Sequence, residues 1–432
     1  MQISWIGALL GLALAILLIL KKVSPIYSLF IGAVVGIIVG ALVKDASSFS
    51  FQETVKVIIS GTEGVMGTIV RVIAAGVLAG AMMETGAAET IAKGMVKGFG
   101  EKWALVALAF TTMILTAVGV FIPVAVLIVA PIALSVGKRS NISKLALLVA
   151  LSGGGKAGNV ISPNPNTIAA ADGFGISLGQ AMFNAFIPSI FGVLMAILLS
   201  MLIRRKGTDV KDTDLVKTDN DHNLPSIGKA LVAPIVAIVL LLMGPLGDLT
   251  GVKFFKVLTL DAMYILPLAG VIGILAMGQA RNLVKYINKG LNRMTGTVMI
   301  LIGAGALGGL ISKSDLGTQI TNIISKTGIS GDFLAPIAGI LMGGALASTS
   351  AGVSVGIKGF GDAILNMGTE PVNAAVMMHT GATVIDQLPH GNYFHVTGDA
   401  MKMDLKERFK VVGYESLVGL TMTIVSIIIN FI

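Results

Sequence analysis

Ser152-Gly-Gly-Gly-Lys-Ala-Gly-Asn-Val-Ile-Ser-Pro-Asn-Pro-Asn166 interrupts an otherwise apolar run with glycines, two prolines, three asparagine amides and a lysine. That composition predicts that the backbone leaves the helical path across the stretch. Inside a bilayer, unpaired N–H and C=O groups are tolerated only where they are buried in protein or line a wet cavity. A broken helix at membrane depth therefore reads first as a solute or ion site.

The rest of the chain supports the membrane reading. Hydrophobic residues make up 54% of the 432 and charged residues only 12%, with a mean hydropathy of +0.89, well outside the pattern of a soluble globular domain. Runs such as Ile3 to Leu20, Pro25 to Val43 and Ala181 to Ile203 approach the roughly 20 residues that cross a hydrocarbon core. They lack apolar/polar alternation, which favours helices over a barrel. The absence of cysteine excludes disulfides, thiolate metal sites and a thiol nucleophile. The net charge of +8 is not a nucleic-acid footprint, because the cations sit in short loops beside apolar runs. Lys21 and Lys22 follow the first apolar run rather than precede it, so the N-terminus reads as a first span with its end outside.

Sliding the sequence against itself aligns Gly67 with Gly296, Thr68 with Thr297, Gly76 with Gly305 and Gly80 with Gly309. The same register pairs Ile91 with Ile320, Lys97 with Lys326, Val124 with Val353 and Ile128 with Ile357. Each half then carries the same parts: a Gly-rich span (Val65 to Met83; Thr295 to Ile311), an amphipathic segment (Ala87 to Phe99; Leu316 to Thr327) and an apolar stretch too long for one crossing (Trp103 to Gly137; Phe333 to Asn366). The middles of those long stretches, Thr116 to Pro123 and Ala347 to Gly352, suit tight turns, so each reads as a re-entrant hairpin. A broken span follows each hairpin, around Gly153 to Asn166 and around Asp386 to Asn392.

With the N-terminus outside and hairpins not counted as crossings, most of the 31 Lys and Arg fall inside, among them Lys138, Arg139, Arg204, Arg205, Arg281, Lys289 and Arg408. The halves then enter the membrane from opposite sides, so the repeat is inverted. The expected fold class is an all-α membrane protein with about ten transmembrane helices and two re-entrant hairpins. Its parts are N-terminal scaffold helices over 1–62, a first repeat over 63–204, a polar cytoplasmic linker over 205–226, further scaffold helices over 227–293 and a second repeat over 294–432.

A charge at membrane depth is costly and calls for a functional hypothesis. Lys156 stands ready to pair with a substrate carboxylate, to take the place of a coupling cation, or to pair with an acid such as Asp386. Asp386 and His390, in Val384-Ile-Asp-Gln-Leu-Pro-His-Gly-Asn392, are the proton-handling candidates, with helix capping as the structural alternative. No second histidine stands at ligand spacing, and His379 and His395 define no metal site. Ser348, Thr349 and Ser350 offer hydroxyls at the second hairpin tip. Asn159, Ser162, Asn164, Asn166 and Asn392 offer neutral hydrogen-bonding groups to a substrate or to the broken backbone. Arg71 is expected to snorkel from a span end, and Glu84, Asp261 and Asp315 to lie at the interface. There is no His-Glu-x-x-His motif, and no enzyme activity is expected.

Two inverted halves with hairpins and broken helices resemble the ion-transporter superfamily of anion carriers. Within it, Ser162-Pro-Asn-Pro-Asn-Thr-Ile-Ala-Ala-Ala171 and Ile385-Asp-Gln-Leu-Pro-His-Gly-Asn392 resemble segments of the gluconate:proton symporter family and its relatives. The resemblance implies proton-driven uptake of gluconate or a similar small carboxylate across a bacterial cytoplasmic membrane. It also implies a homodimer whose transport domain moves against a scaffold, with no cofactor beyond the coupling ion. A sodium-coupled citrate or dicarboxylate carrier and a cation–proton antiporter are the alternative readings.

Overall fold

A computed structural model gives the fold and describes residues 1–99, 103–215, 224–252, 254–255, 260–319, 322 and 331–432. Among these residues every extended element is a helix, as the sequence leads one to expect, and the only strand-like pairing is an isolated bridge between Ile3 and Ser314. The first half runs α1 (Trp5–Leu20), α2 (Pro25–Asp45), α3 (Phe51–Glu63), α4 (Met66–Glu84), α5 (Ala87–Phe99), α6 (Ala104–Ala117), α7 (Ile122–Ser140), α8 (Lys144–Asn159), α9 (Pro165–Gly173), α10 (Leu178–Asn184) and α11 (Phe186–Leu202). The second runs α12 (Ile227–Ala230), α13 (Val232–Thr250), α14 (Ala262–Ala276), α15 (Leu283–Lys313), α16 (Leu334–Leu346), α17 (Thr349–Asn366), α18 (Pro371–Ala382), α19 (Asn392–Ala400) and α20 (Leu405–Asn430).

Six helices among the described residues are long and apolar enough to cross a membrane, or seven if the bent pair α10–α11 is one span. Shorter apolar helices (α1, α6, α14, α16) accompany them. An expectation of about ten spans counts such shorter and broken helices too. Leu17, Tyr27, Leu194, Leu198, Leu341 and Ile428 are exposed, as lipid-facing side chains of a membrane protein are.

The helix–turn–helix units lie where the sequence places the hairpins. Val118 to Phe121 join α6 to α7, with Gly119 at φ +97°, and Ala347 and Ser348 join α16 to α17, with Ala347 at φ +42°. After each unit comes a helix, a break and a short helix: α8, 160–164 and α9, then α18, 383–391 and α19. Prolines at the first turns of α7, α9 and α18 start helices where their missing N–H costs nothing. The second amphipathic segment, Leu316 to Thr327, lies largely outside the described residues.

One expectation is corrected. Backbone over Ser152 to Asn159 does not leave the helix; α8 continues through the glycine run and Lys156, and only 160–164 is broken. The glycines serve packing. A Cβ on Gly154 would lie 2.0 Å from the Ala109 carbonyl oxygen, one on Gly158 2.0 Å from that of Met113, and one on Gly153 2.5 Å from the Ala196 methyl. Helix α8 is thus sunk against α6 and α11 at backbone contact, which offsets the roughly 1 kcal/mol helix penalty of each glycine.

The described part of the polar linker is docked rather than loose. The Thr208 amide donates to Glu407 Oε1 at 2.7 Å, Lys144 pairs with Asp214 at 2.8 Å, and Val210 is buried. Residues 216–223 of that linker lie outside the described residues.

Because the Gly158 seat has no room for a side chain, Gly158→Leu is expected to destabilise the protein by about 1–3 kcal/mol or more through overpacking. Thermal unfolding of the purified variant in detergent checks this; an unchanged Tm would contradict the seat.

Candidate binding site

The two breaks meet through one side chain. Lys156, near the end of α8, is fully buried, and its ammonium donates to the Thr383 carbonyl, to Asp386 Oδ1 at 2.5 Å and to Gln387 Oε1 at 2.6 Å. All three acceptors belong to the second break, so three donors meet three oxygens and the lysine is satisfied. Asp386, 3% exposed, receives the Thr349 hydroxyl on its other oxygen at 2.5 Å. Gln387 is fixed in turn by donating to Ser416 Oγ at 2.9 Å and to the Val412 carbonyl at 3.2 Å on α20.

The first break is closed by asparagines. Asn164 caps α9, its Oδ1 accepting from the amides of Asn166 at 2.8 Å and Thr167 at 3.1 Å, while its Nδ2 donates to Asn159 Oδ1 at 2.5 Å and to the Asn159 carbonyl at 2.7 Å. Asn166 Oδ1 accepts from the Ser350 hydroxyl, which joins this break to the second hairpin tip. Ser348 caps its own helix, α17, by accepting from the Ala351 amide at 3.4 Å.

A cavity of about 250 Å³ lies where these parts converge. It is lined by both helix–turn–helix tips (Phe121 to Pro123; Leu346 to Ser350), by both breaks (Asn159, Asn166; Asp386, His390, Gly391, Asn392) and by Tyr393. Ile19, Pro25 and Ile300 of α1, α2 and α15 complete the wall.

Most of the residues singled out in the sequence are thus brought together. Asn159, Asn166, Ser348, Thr349, Ser350, Asp386, His390 and Asn392 line one cavity. Lys156, Ser162 and Asn164 are buried behind it: Lys156 holds the breaks together, Asn164 caps a helix, and the Ser162 hydroxyl is buried without a partner. His390 Nε2 lies 3.2 Å from the Ala345 carbonyl and ties the break to the tip. No group of three or more potential metal ligands occurs among the described residues.

One neighbour went unread, and two cations are placed differently from expectation. Tyr393 lines the cavity with its ring 5.7 Å from the Lys156 ammonium. Arg408, expected among cytoplasmic loop cations, is instead buried in α20 against Glu415, at 2.8 and 3.2 Å. Their seven-residue spacing puts both on one helix face and was the available signal. Arg71, expected to snorkel, is held by Asp172 and Asp261, the latter at 2.9 Å. Two Gly-x-Ser-x-Gly pentapeptides, Gly175 to Gly179 and Gly352 to Gly356, are not nucleophile elbows: Ser177 caps α10 and Ser354 lies inside α17, with no preceding strand.

A multi-pass helical bundle with a cavity between two broken helices, its wall carrying several polar side chains, is the form of a membrane permease. The comparisons agree: the chain belongs to the GntP family of permeases, whose sequence profile matches residues 2–432. It is 45% identical over 427 residues to a Haemophilus influenzae protein described as an uncharacterized transporter, covering 99% of this chain and 98% of that one. It is 25% identical to a gluconate permease of Bacillus subtilis, with 84% and 86% covered. To the D-serine transporter DsdX of Escherichia coli it is 24% identical, with 69% and 70% covered. Among solved structures, MtrF of Neisseria gonorrhoeae, described as one of a class of antimetabolite efflux pumps, superposes with a TM-score of 0.62 at 16% identity, covering 97% of this chain and 95% of that one. The YdaH transporter of Alcanivorax borkumensis gives 0.60 at 14%, covering 88% and 87%. These two are likenesses of fold. The family resemblance read from the two breaks is thereby established.

Removing the lysine strands a buried carboxylate. Lys156→Met is expected to cost about 3–5 kcal/mol of stability, and Lys156→Met with Asp386→Leu markedly less, because no unpaired charge remains. Chemical or thermal unfolding of the purified variants reads both; equal losses would contradict the pairing.

Proposed function

We propose that the chain is a secondary active transporter that takes up gluconate or a related small hydroxycarboxylate together with a proton, across the cytoplasmic membrane of a bacterium. The observation that carries this reading is the single cavity walled by both tips and both breaks. A solute there touches parts of both halves, as alternating access around one site requires. Asn159, Asn166, Asn392, Ser348, Thr349 and Ser350 supply neutral donors and acceptors of the kind that a polyhydroxy acid uses. The gluconate permease relative supports that substrate class.

Charge balance gives the coupling. In the substrate-free site Lys156 and Asp386 neutralise each other, and an arriving carboxylate adds an unbalanced negative charge that is costly in a low-dielectric interior. A proton on Asp386 leaves the Lys156 charge to balance the anion, so proton and substrate favour each other's binding. Release of both on the inner side restores the ion pair. His390, on the cavity wall, is the second proton-handling group. The α6–α9 and α16–α19 units form the moving body, in inverted repeats with the N-terminus outside, and α1–α3 with α12–α14 form the scaffold of a homodimer.

Proteoliposomes given labelled gluconate are expected to accumulate it under an imposed proton gradient and not under a sodium gradient alone. Sodium-only uptake would replace the proton by sodium, and failure under both would overturn the reading. Asp386→Asn is expected to depress proton-driven accumulation at least tenfold, about 1.4 kcal/mol, while sparing gluconate–gluconate exchange more; equal loss of both would remove Asp386 from coupling.

A further inference from the structure

Five helices begin at the cavity wall, and their N-termini are not equivalent: α2 starts at Pro25, which has no N–H, and the Ser24 carbonyl takes the Ser28 amide at 3.0 Å. The first turn of α9 is occupied by Asn164, and that of α17 by Ser348. Helix α7 has Pro123 in its first turn, which has no N–H, and the Phe121 carbonyl takes the amides of Val124 at 3.0 Å and Ala125 at 2.9 Å. Helix α19 starts after Gly391, and no side chain caps it.

The reason is steric. A Cβ on Gly391 would lie 2.5 Å from the Ala347 carbonyl oxygen and 2.7 Å from the Ala347 methyl at the second hairpin tip. The tip's seat therefore forbids the Ser, Thr, Asp or Asn that would otherwise cap this helix. Gly391, Asn392 and Tyr393 line the cavity, and no side chain caps the first amides of α19.

A second observation points to the same place. Asn159, 2% exposed, lines this cavity, and its Nδ2 has no acceptor, although its Oδ1 is engaged by Asn164. A buried amide donor without a partner is uncommon in a folded protein. The unmet Asn159 donor beside an uncapped helix N-terminus suits a carboxylate.

We infer that the substrate's carboxylate is seated on the N-terminus of α19 against the Asn159 amide, with its hydroxyl-bearing chain directed at the second hairpin tip. This rests on the carboxylate-transport reading and names the part of the site that holds the charge. Gly391 is then doubly fixed, by its contact with the tip and by leaving the amides to the substrate. Lys156 acts from behind the wall through its charge. The tip oxygens of Thr349 and Ser350, already donating to Asp386 and Asn166, accept from substrate hydroxyls.

The test is binding of labelled gluconate to the purified full chain and to two isosteric variants that each add one negative charge to the cavity wall. Asn392→Asp puts an internal carboxylate in the first turn of α19, and Asn166→Asp puts one in the first turn of α9. Both positions favour an acid in the helix, so both variants are expected to fold. The expected result is a loss of affinity of at least about tenfold for Asn392→Asp, several times larger than for Asn166→Asp, and a clear loss for Asn159→Leu. Equal losses in the two acidic variants, or unchanged binding in Asn392→Asp, would overturn the seat while leaving carboxylate transport standing. No binding of gluconate, glycerate or hydroxybutyrate by the unaltered protein would overturn the transport reading and the seat with it.

Discussion

A lysine at the end of one broken helix must find its counter-charge in the other, and the rest of the site follows from that requirement. An ammonium and a carboxylate at membrane depth are each expensive alone, and breaking such a pair costs more than the pair contributes. The Lys156–Asp386 pair, with the Thr383 carbonyl and Gln387 as further acceptors, therefore fixes how the two halves of the chain face one another. Thr349 brings the second tip to Asp386, Ser350 brings it to Asn166, and Gly391 lets it sit against the second break. The cavity is the space these contacts leave.

Glycine makes those contacts reachable. Its largest effect is at seams where backbones touch: Gly154 and Gly158 of α8 on α6, Gly76 and Gly80 of α4 on α15 near Gly290, and Gly7 of α1 on Gly40 of α2. Without a hydrophobic force between helices in lipid, such close approach is a main source of helix association. The cavity wall on the side of α1, α2 and α15 is made differently, by the side chains Ile19, Pro25 and Ile300.

Much of this was legible in the sequence because membrane physics leaves few readings for polar backbone in an apolar run. Turns within Thr116 to Pro123 and Ala347 to Gly352, and breaks within Gly153 to Asn166 and around Asp386 to Asn392, are read from the placement of glycine, proline and polar side chains, though not with the bounds the fold gives them. What was not legible depends on three-dimensional partners. The Gly153 to Gly155 run looks like a helix breaker until α6 and α11 are seen against it. Lys156 keeps several readings in the sequence, pairing with Asp386 among them, and only the fold adds the Thr383 carbonyl and Gln387 as its other acceptors. Arg71 and Arg408 look like interfacial cations, because Asp172 and Asp261 are remote in sequence from the first, and burial of the second against Glu415 is a tertiary fact.

The central claim is that substrate anion and proton enter one electrostatic unit. The most direct measurement is proton uptake by the purified protein in weak buffer as gluconate is added, followed with a pH indicator or electrode. The account expects about one proton taken up per gluconate bound, with uptake lost in Asp386→Asn. Gluconate binding with no proton taken up at any pH near neutrality would contradict it.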